Sequence, residues 1–371
     1  MPTMRTATSV PVLRRLAREH YNAPDGVQFF YDAIKTGQQP IRPPGPDERV
    51  ARLLAAAEAN RLEQAELWFV DEDLCTLLAS AWPTMPPFAP MASDLPSPYG
   101  FVVFAEPIHE VPEPEGIDFA ALGFDPEIAK AHQALADIPA RIVAASWGPM
   151  PPSFERPDWR AEGLERVWFS FYSETHVHTD LGTQLARGID QLRAMRASRP
   201  PVMIDNEGII ALRPPGAPVE KYQLGGDNDP TRDTLVWARM VLGAFQLARQ
   251  ANLADESVER TPRPERRRAI KDGIPERDVR IIKLRSALAA DRDDEAGSDS
   301  GREYRHRWVV RGHWRNHWYP SLGDHRPKWI APYLKGPDGA PLLGGEKVHV
   351  ASVPPQPRQG QTDAEAPAVE S

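Results

Sequence analysis

The amino-acid sequence predicts an α+β fold: a mixed sheet packed with helices, extended by a small C-terminal β-rich module. Three observations carry this expectation. Short apolar runs suited to strands recur at 67–70, 101–104, 141–147 and 167–171, with helical spacing between them but no regular strand–helix alternation. Forty prolines in 371 residues, about twice the usual share, argue against a long-helix bundle and for short elements joined by stiff loops. Residues 305–345 gather four of the ten tryptophans (Trp308, Trp314, Trp318, Trp329) and four of the ten histidines (His306, His313, His317, His325) beside a ladder of arginines.

Taken in order, residues 1–20 read as a short amphipathic helix around VLRRLAREHY, followed by an apolar patch at 29–34 and a proline-rich joint at 39–46. Pro46 or Asp47 starts a second helix, in which Val50, Leu53, Leu54 and Ala57 recur at helical spacing. LWFV at 67–70 is a brief strand, and Asp71 or Asp73 caps the helical run DLCTLLASA. Residues 101–104 are apolar on both faces, which marks a central strand. ARIVAASW is a second strand and ERVWFSFYSE a third, with Val167, Phe169 and Phe171 on one face. Residues 203–212 suggest a hairpin turned at 206–208. Asp229 and Pro230 start a helix that runs to about Asn252 and is apolar around most of its circumference, as a helix packed on a sheet should be. A basic short helix within 258–273 precedes the strand DVRIIKLRS, expected to pair with a strand at 304–310; further strands are expected near 328–331 and 347–350.

These readings divide the chain into an N-terminal α+β domain over 1–255, a basic linker or short helix over 256–277, and a β-rich module over 278–352. That module encloses an acidic mobile loop at 287–302, and residues 353–371 form a disordered tail.

Composition excludes several function classes. One cysteine, Cys75, rules out an intramolecular disulfide framework and a cysteine-based zinc site, and its apolar helical setting reads as a small buried hydrophobe. The first residues carry Arg5, Arg14 and Arg15 without the apolar run of a signal peptide. Residues 235–248 are too few to span a bilayer and include Arg239. A cytoplasmic protein with no membrane partner is therefore expected. No Walker loop, Gly-x-Gly-x-x-Gly or Gly-x-Ser-x-Gly is present, and no cofactor is expected.

The net charge is -8, yet residues 302–349 hold nine Arg or Lys against four carboxylates, a local balance of +5. On an extended chain Arg305, Arg307 and Arg311 share one face, and His306, Trp308 and Val310 the other. Such a cationic strip suits phosphate contacts from Arg305, Arg307, Arg311, Arg315 and Lys328. His313, Trp314, Trp318 and Trp329 complete the candidate surface, and exposed indoles can stack on unpaired bases of RNA or single-stranded DNA. The competing reading is structural: tryptophans fill the core of a small sheet, and arginines cover their ring faces. The basic run 262–271 could likewise bind phosphate, although such runs usually form a solvated helix face.

A second constellation is SETHVHTD. On an extended chain His176, His178 and Asp180 fall to one side, with Glu174 in phase, which would suit a divalent metal and a metal-dependent hydrolase. The His-x-His-x-Asp pattern resembles part of the metallo-β-lactamase signature, in which a histidine would stand where Leu181 does.

The block from 305 onward resembles one found in uncharacterised actinobacterial proteins. Its core, Arg311-Gly312-His313-Trp314-Arg315 followed by Trp329-Ile330-Ala331-Pro332, resembles the C-terminal motif of a type V-A anti-CRISPR family of phages and mobile elements, over about 45 residues. The resemblance implies a regulatory or interfering protein that recognises another protein or its message, not a metabolic enzyme. The expectation is thus a non-enzymatic nucleic-acid-binding or regulatory protein. A metal-dependent hydrolase and a protein–protein adaptor are the alternatives.

Overall fold

The computed structural model describes residues 5–111, 120, 125–224, 234–285, 308–320 and 322–335. Three helices come first: α1 (Val10–Asn22), α2 (Pro24–Lys35) and α3 (Asp47–Gln64). The strand β1 (Glu66–Val70) follows, and then α4 (Glu72–Ala81), whose N-cap Asp71 accepts from the Leu74 amide at 3.0 Å. Next come β2 (Gly100–Phe104), β3 (His109–Val111), α5 (Pro126–Ala136), β4 (Ala140–Pro149), α6 (Pro157–Glu162) and β5 (Arg166–Glu174). They are followed by α7 (Asp180–Leu185), α8 (Asp190–Ser198), β6 (Val202–Ala211), α9 (Thr234–Ala248), β7 (Ala254–Glu259), α10 (Arg263–Lys271) and β8 (Val279–Leu284). The chain then forms β9 (Trp308–Val310), β10 (His313–Tyr319), β11 (Asp324–Ile330) and β12 (Tyr333–Lys335). Residues 347–350, expected as a strand, lie outside the described residues, as do the acidic segment 287–302 and the tail 353–371.

The fold class is α+β. An eight-stranded mixed sheet runs in the order β6-β5-β4-β2-β1-β8-β7, with β3 also paired to β4. Among the described residues of this sheet, only β1 with β2 and β1 with β8 are parallel. Period-two alternation explains why this sheet has helices on both sides. Leu67, Phe69, Phe101, Val103 and Trp168 pack under α1–α3, whereas Trp68, Val70, Val102, Phe104 and Phe169 pack under α4 and α9. α9 is buried from Val236 through Leu247, as its all-round apolar sequence requires. A satellite cluster of Ala131, Leu135, Val177, Ala186 and Leu192 holds α5, α7 and α8 together.

Two expectations are corrected. β6 is one continuous strand paired with β5 from Arg166↔Ala211 to Glu174↔Val202, with a register shift near Asn206 instead of a hairpin. The extra residue is Asp205, while Asn206, Glu207 and Gly208 pair regularly with Phe171, Ser170 and Phe169 and make no reversal. β8 pairs with β1 and β7, not with a strand ending at Val310, because Val279, Ile281 and Ile282 are apolar on both faces and belong at the sheet's centre. By its contacts the chain forms two units: residues 1–293 with 311–332, and residues 294–310 with 333–371. In the second, β12 pairs antiparallel with β9, Tyr333 opposite Val310 and Lys335 opposite Trp308.

Candidate nucleic-acid interface

The Trp/Arg/His block folds as an antiparallel hairpin, β10 with β11, in the register His313↔Ile330, Trp314↔Trp329, Arg315↔Lys328, His317↔Arg326, Trp318↔His325 and Tyr319↔Asp324. Its turn closes through Gly323, whose φ of +58° is the left-handed conformation that glycine adopts without a Cβ clash.

Directly opposed residues share a face, so the hairpin has one face of Trp314, Trp329, Trp318 and His325, and another of Arg315, Lys328, His317, Arg326, Tyr319 and Asp324. Neither face is buried along its full length. At the base Trp314 and Trp329 are buried while Arg315 is exposed; at the tip Arg326 and Asp324 are buried while Trp318 is 48% exposed. The strong right-handed twist of a two-stranded ribbon produces this exchange.

The base is anchored by indoles. Trp314 and Trp329 meet edge to face at 5.4 Å, inside the apolar cluster under α4 and α9. Trp314 Nε1 donates to the Ala81 carbonyl at 2.7 Å. The Gln250 amide, oriented to satisfy both groups, donates to the Trp329 carbonyl at 2.7 Å and accepts from the Trp329 amide at 3.1 Å. Gly312 belongs to the same packing: a Cβ there would lie 2.5 Å from Trp329 Cζ2 and 3.2 Å from Pro332 Cδ. Trp314 and Trp329 of the R-G-H-W-R…W-I-x-P pattern therefore dock the hairpin on the body, and Gly312 leaves room for the Trp329 ring.

The tip is anchored by charge. Arg326 pairs with the fully buried Asp94, and Arg213 pairs with Asp324. Asp94 also accepts from Gln246 Nε2 at 2.8 Å, Arg249 Nη1 at 3.0 Å and the Met91 amide at 2.7 Å.

Of the predicted surface residues, Arg311, His313, Arg315 and Trp318 are exposed and Lys328 is half-buried, whereas Trp314 and Trp329 lie in the core. Arg305 and Arg307 lie outside the described residues. The exposed indole of Trp318 stands 4.9 Å from the His325 ring, with Leu322 exposed in the turn.

The histidine cluster has a different geometry from the one its sequence suggests. Residues His176–His178 form a 3₁₀ turn, not an extended strand, so the side chains do not alternate to one side. His178 Nε2 lies 2.9 Å from the Arg199 carbonyl, Asp180 is exposed in the first turn of α7, and Glu174 is 3.6 Å from both Arg5 and Arg141. Burial lowers the pKa of His176 and of His178. Among the described residues no group of three or more His, Cys, Asp or Glu could hold a metal ion. Cys75 is buried, and desolvation pushes its thiol up to about 11, far from a nucleophile's range.

Sequence reasoning missed a buried polar node beneath α3. Ser146 Oγ donates to Glu58 at 3.0 Å and Ser170 Oγ to the same carboxylate at 2.8 Å; Tyr172 and Arg61 also bond it. Glu207 accepts from Trp168 Nε1 at 2.9 Å and from Gln39 Nε2 at 2.6 Å, and lies 3.1 Å from Ser170 Oγ, whose single proton goes to Glu58. Burial pushes its carboxyl up to about 7, against the opposing pull of Arg61. Glu207 also lines a groove of about 570 Å³ with Asp25, Asp32, Arg199 and Asp205. The available signal was Glu58 and Arg61 interrupting the apolar face of α3.

No family model and no curated protein matches the chain. Among solved structures it is similar to AcrVA2, at 12% identity and a TM-score of 0.35 over 85% of each chain. No helix among the described residues is long and apolar enough to cross a membrane.

Proposed function

We propose that the protein is a non-enzymatic regulatory protein whose hairpin binds single-stranded nucleic acid. Trp318 would stack on an unpaired base, and Arg311, His313, Arg315 and Lys328 would follow the backbone phosphates. The observation that carries this reading is the difference between the indoles. Trp314 and Trp329 are sealed in the core, whereas Trp318 stands in solvent on the same face of the same ribbon, with His325 against it and cations on the exposed base. The exposed indole offers a ring face on which an unpaired base can stack.

Binding of labelled RNA and single-stranded DNA to the full chain tests the reading. Trp318→Ala should weaken binding by about 10- to 100-fold, the loss of one stacked base at roughly 1–3 kcal/mol. Undetectable binding of both nucleic acids at low salt, or equal affinity in the variant, removes the proposal.

A further inference from the structure

The basic helix α10 meets α1 around a small cavity of about 20 Å³. Five arginines line it, Arg14, Arg15, Arg18, Arg266 and Arg277, against three carboxylates, Glu265, Asp272 and Glu276. Those carboxylates are already engaged. Glu265 pairs with Arg15 at 2.7 Å and also with Arg268, Asp272 lies 3.5 Å from Arg18, and Glu276 lies 3.4 Å from Arg266. Arg18 further reaches Glu63 at 3.4 Å and Arg277 reaches Glu66 at 3.2 Å.

Arg14 is the one left over. It is only 6% exposed, and no described carboxylate lies within ion-pair distance of it. Its Nη1 is buried without a hydrogen-bond partner, as is Arg266 Nε at the same cavity, whereas Arg277 Nε faces Glu66. A buried guanidinium without a counter-charge is costly unless something neutralises it. Burial and the nearby charges of Arg18 and Arg277 depress its pKa to about 10, which still leaves it charged at neutral pH.

We propose that this cavity is a binding site for one monatomic anion of chloride size, held chiefly by Arg14 Nη1 with Arg266 and Arg277 beside it. The volume admits a water or a single such ion, and the two unsatisfied N–H donors, Arg14 Nη1 and Arg266 Nε, together with the uncompensated charge of Arg14, select the anion over water, which would bring no charge. The bound ion would join α1 to α10 and so fix the basic helix on the body.

Two measurements on the full chain decide it. Crystals soaked in bromide should show an anomalous peak within hydrogen-bond distance of Arg14 Nη1. At fixed ionic strength, replacing gluconate by chloride should raise the Tm to a plateau, as mass action at one site requires. Arg14→Met should show no such rise and should match or exceed the wild-type Tm in gluconate, where the wild type carries an uncompensated charge. No bromide peak at Arg14, or a chloride response of equal size in both proteins, overturns the site. The bromide arm decides alone if the variant does not fold.

Discussion

Glu58 and Glu207 share a single buried guanidinium, that of Arg61, which lies over the Trp168 ring at 4.2 Å and 3.8 Å from Glu207. One guanidinium neutralises one carboxylate, so the node is cheapest when the second holds a proton. Burial accordingly raises Glu207 from 4.5 to about 7. The folded state then binds that proton more tightly than the unfolded chain does. The resulting stability is complete below about pH 4.5 and is lost as pH rises toward 7, a change of roughly 3 kcal/mol for this group. Glu207→Gln keeps acceptor capacity for Trp168 but has no proton to lose. Urea unfolding from pH 4.5 to 8 should therefore show the variant gaining on the wild type by up to about 3 kcal/mol across that window. A difference that stays constant with pH would contradict the assignment.

The hairpin has a structural base and an exposed tip, and substitutions should separate them. Trp314→Ala empties a core position and removes one of the two donors to the Ala81 carbonyl, so it should cost about 3–5 kcal/mol in denaturant unfolding. Trp318→Ala, at a half-exposed position, should cost less than about 1 kcal/mol. Similar losses in the two would mean that Trp318 is structural after all. The sequence announced this element by composition but not by role. Strand 101–104 was legible as a short run apolar on both faces and 167–171 by its alternation, both local properties. The cap was narrowed to Asp71 or Asp73 for the same reason, and Asp71 is the one used. The partition of the indoles was not, because it depends on the ribbon's twist and on Ala81, Asp94 and Gln250, which stand far away in sequence. The phase of His176 and His178 was misjudged because a polar segment after a strand does not reveal where extension gives way to a 3₁₀ turn.

At the scale of the molecule, the cations of the hairpin sit on a chain of net charge -8. An anionic body repels nucleic acid wherever the cationic patch does not face it, and at 0.1 M salt that repulsion extends about 10 Å. Binding should thus depend on the patch alone, without the diffuse background that a basic protein provides. Three guanidinium or ammonium groups, Arg311, Arg315 and Lys328, imply that log K for a single strand falls with log salt at a slope of about -2. Arg315→Gln should make that slope shallower by about 0.7 while leaving the stacking contribution of Trp318 in place. The combined Arg311→Gln, Arg315→Gln, Lys328→Gln variant should lose binding at every salt concentration, since nothing cationic would then offset the body. Residual affinity above about a tenth of wild type at low salt would locate the binding surface elsewhere on the molecule.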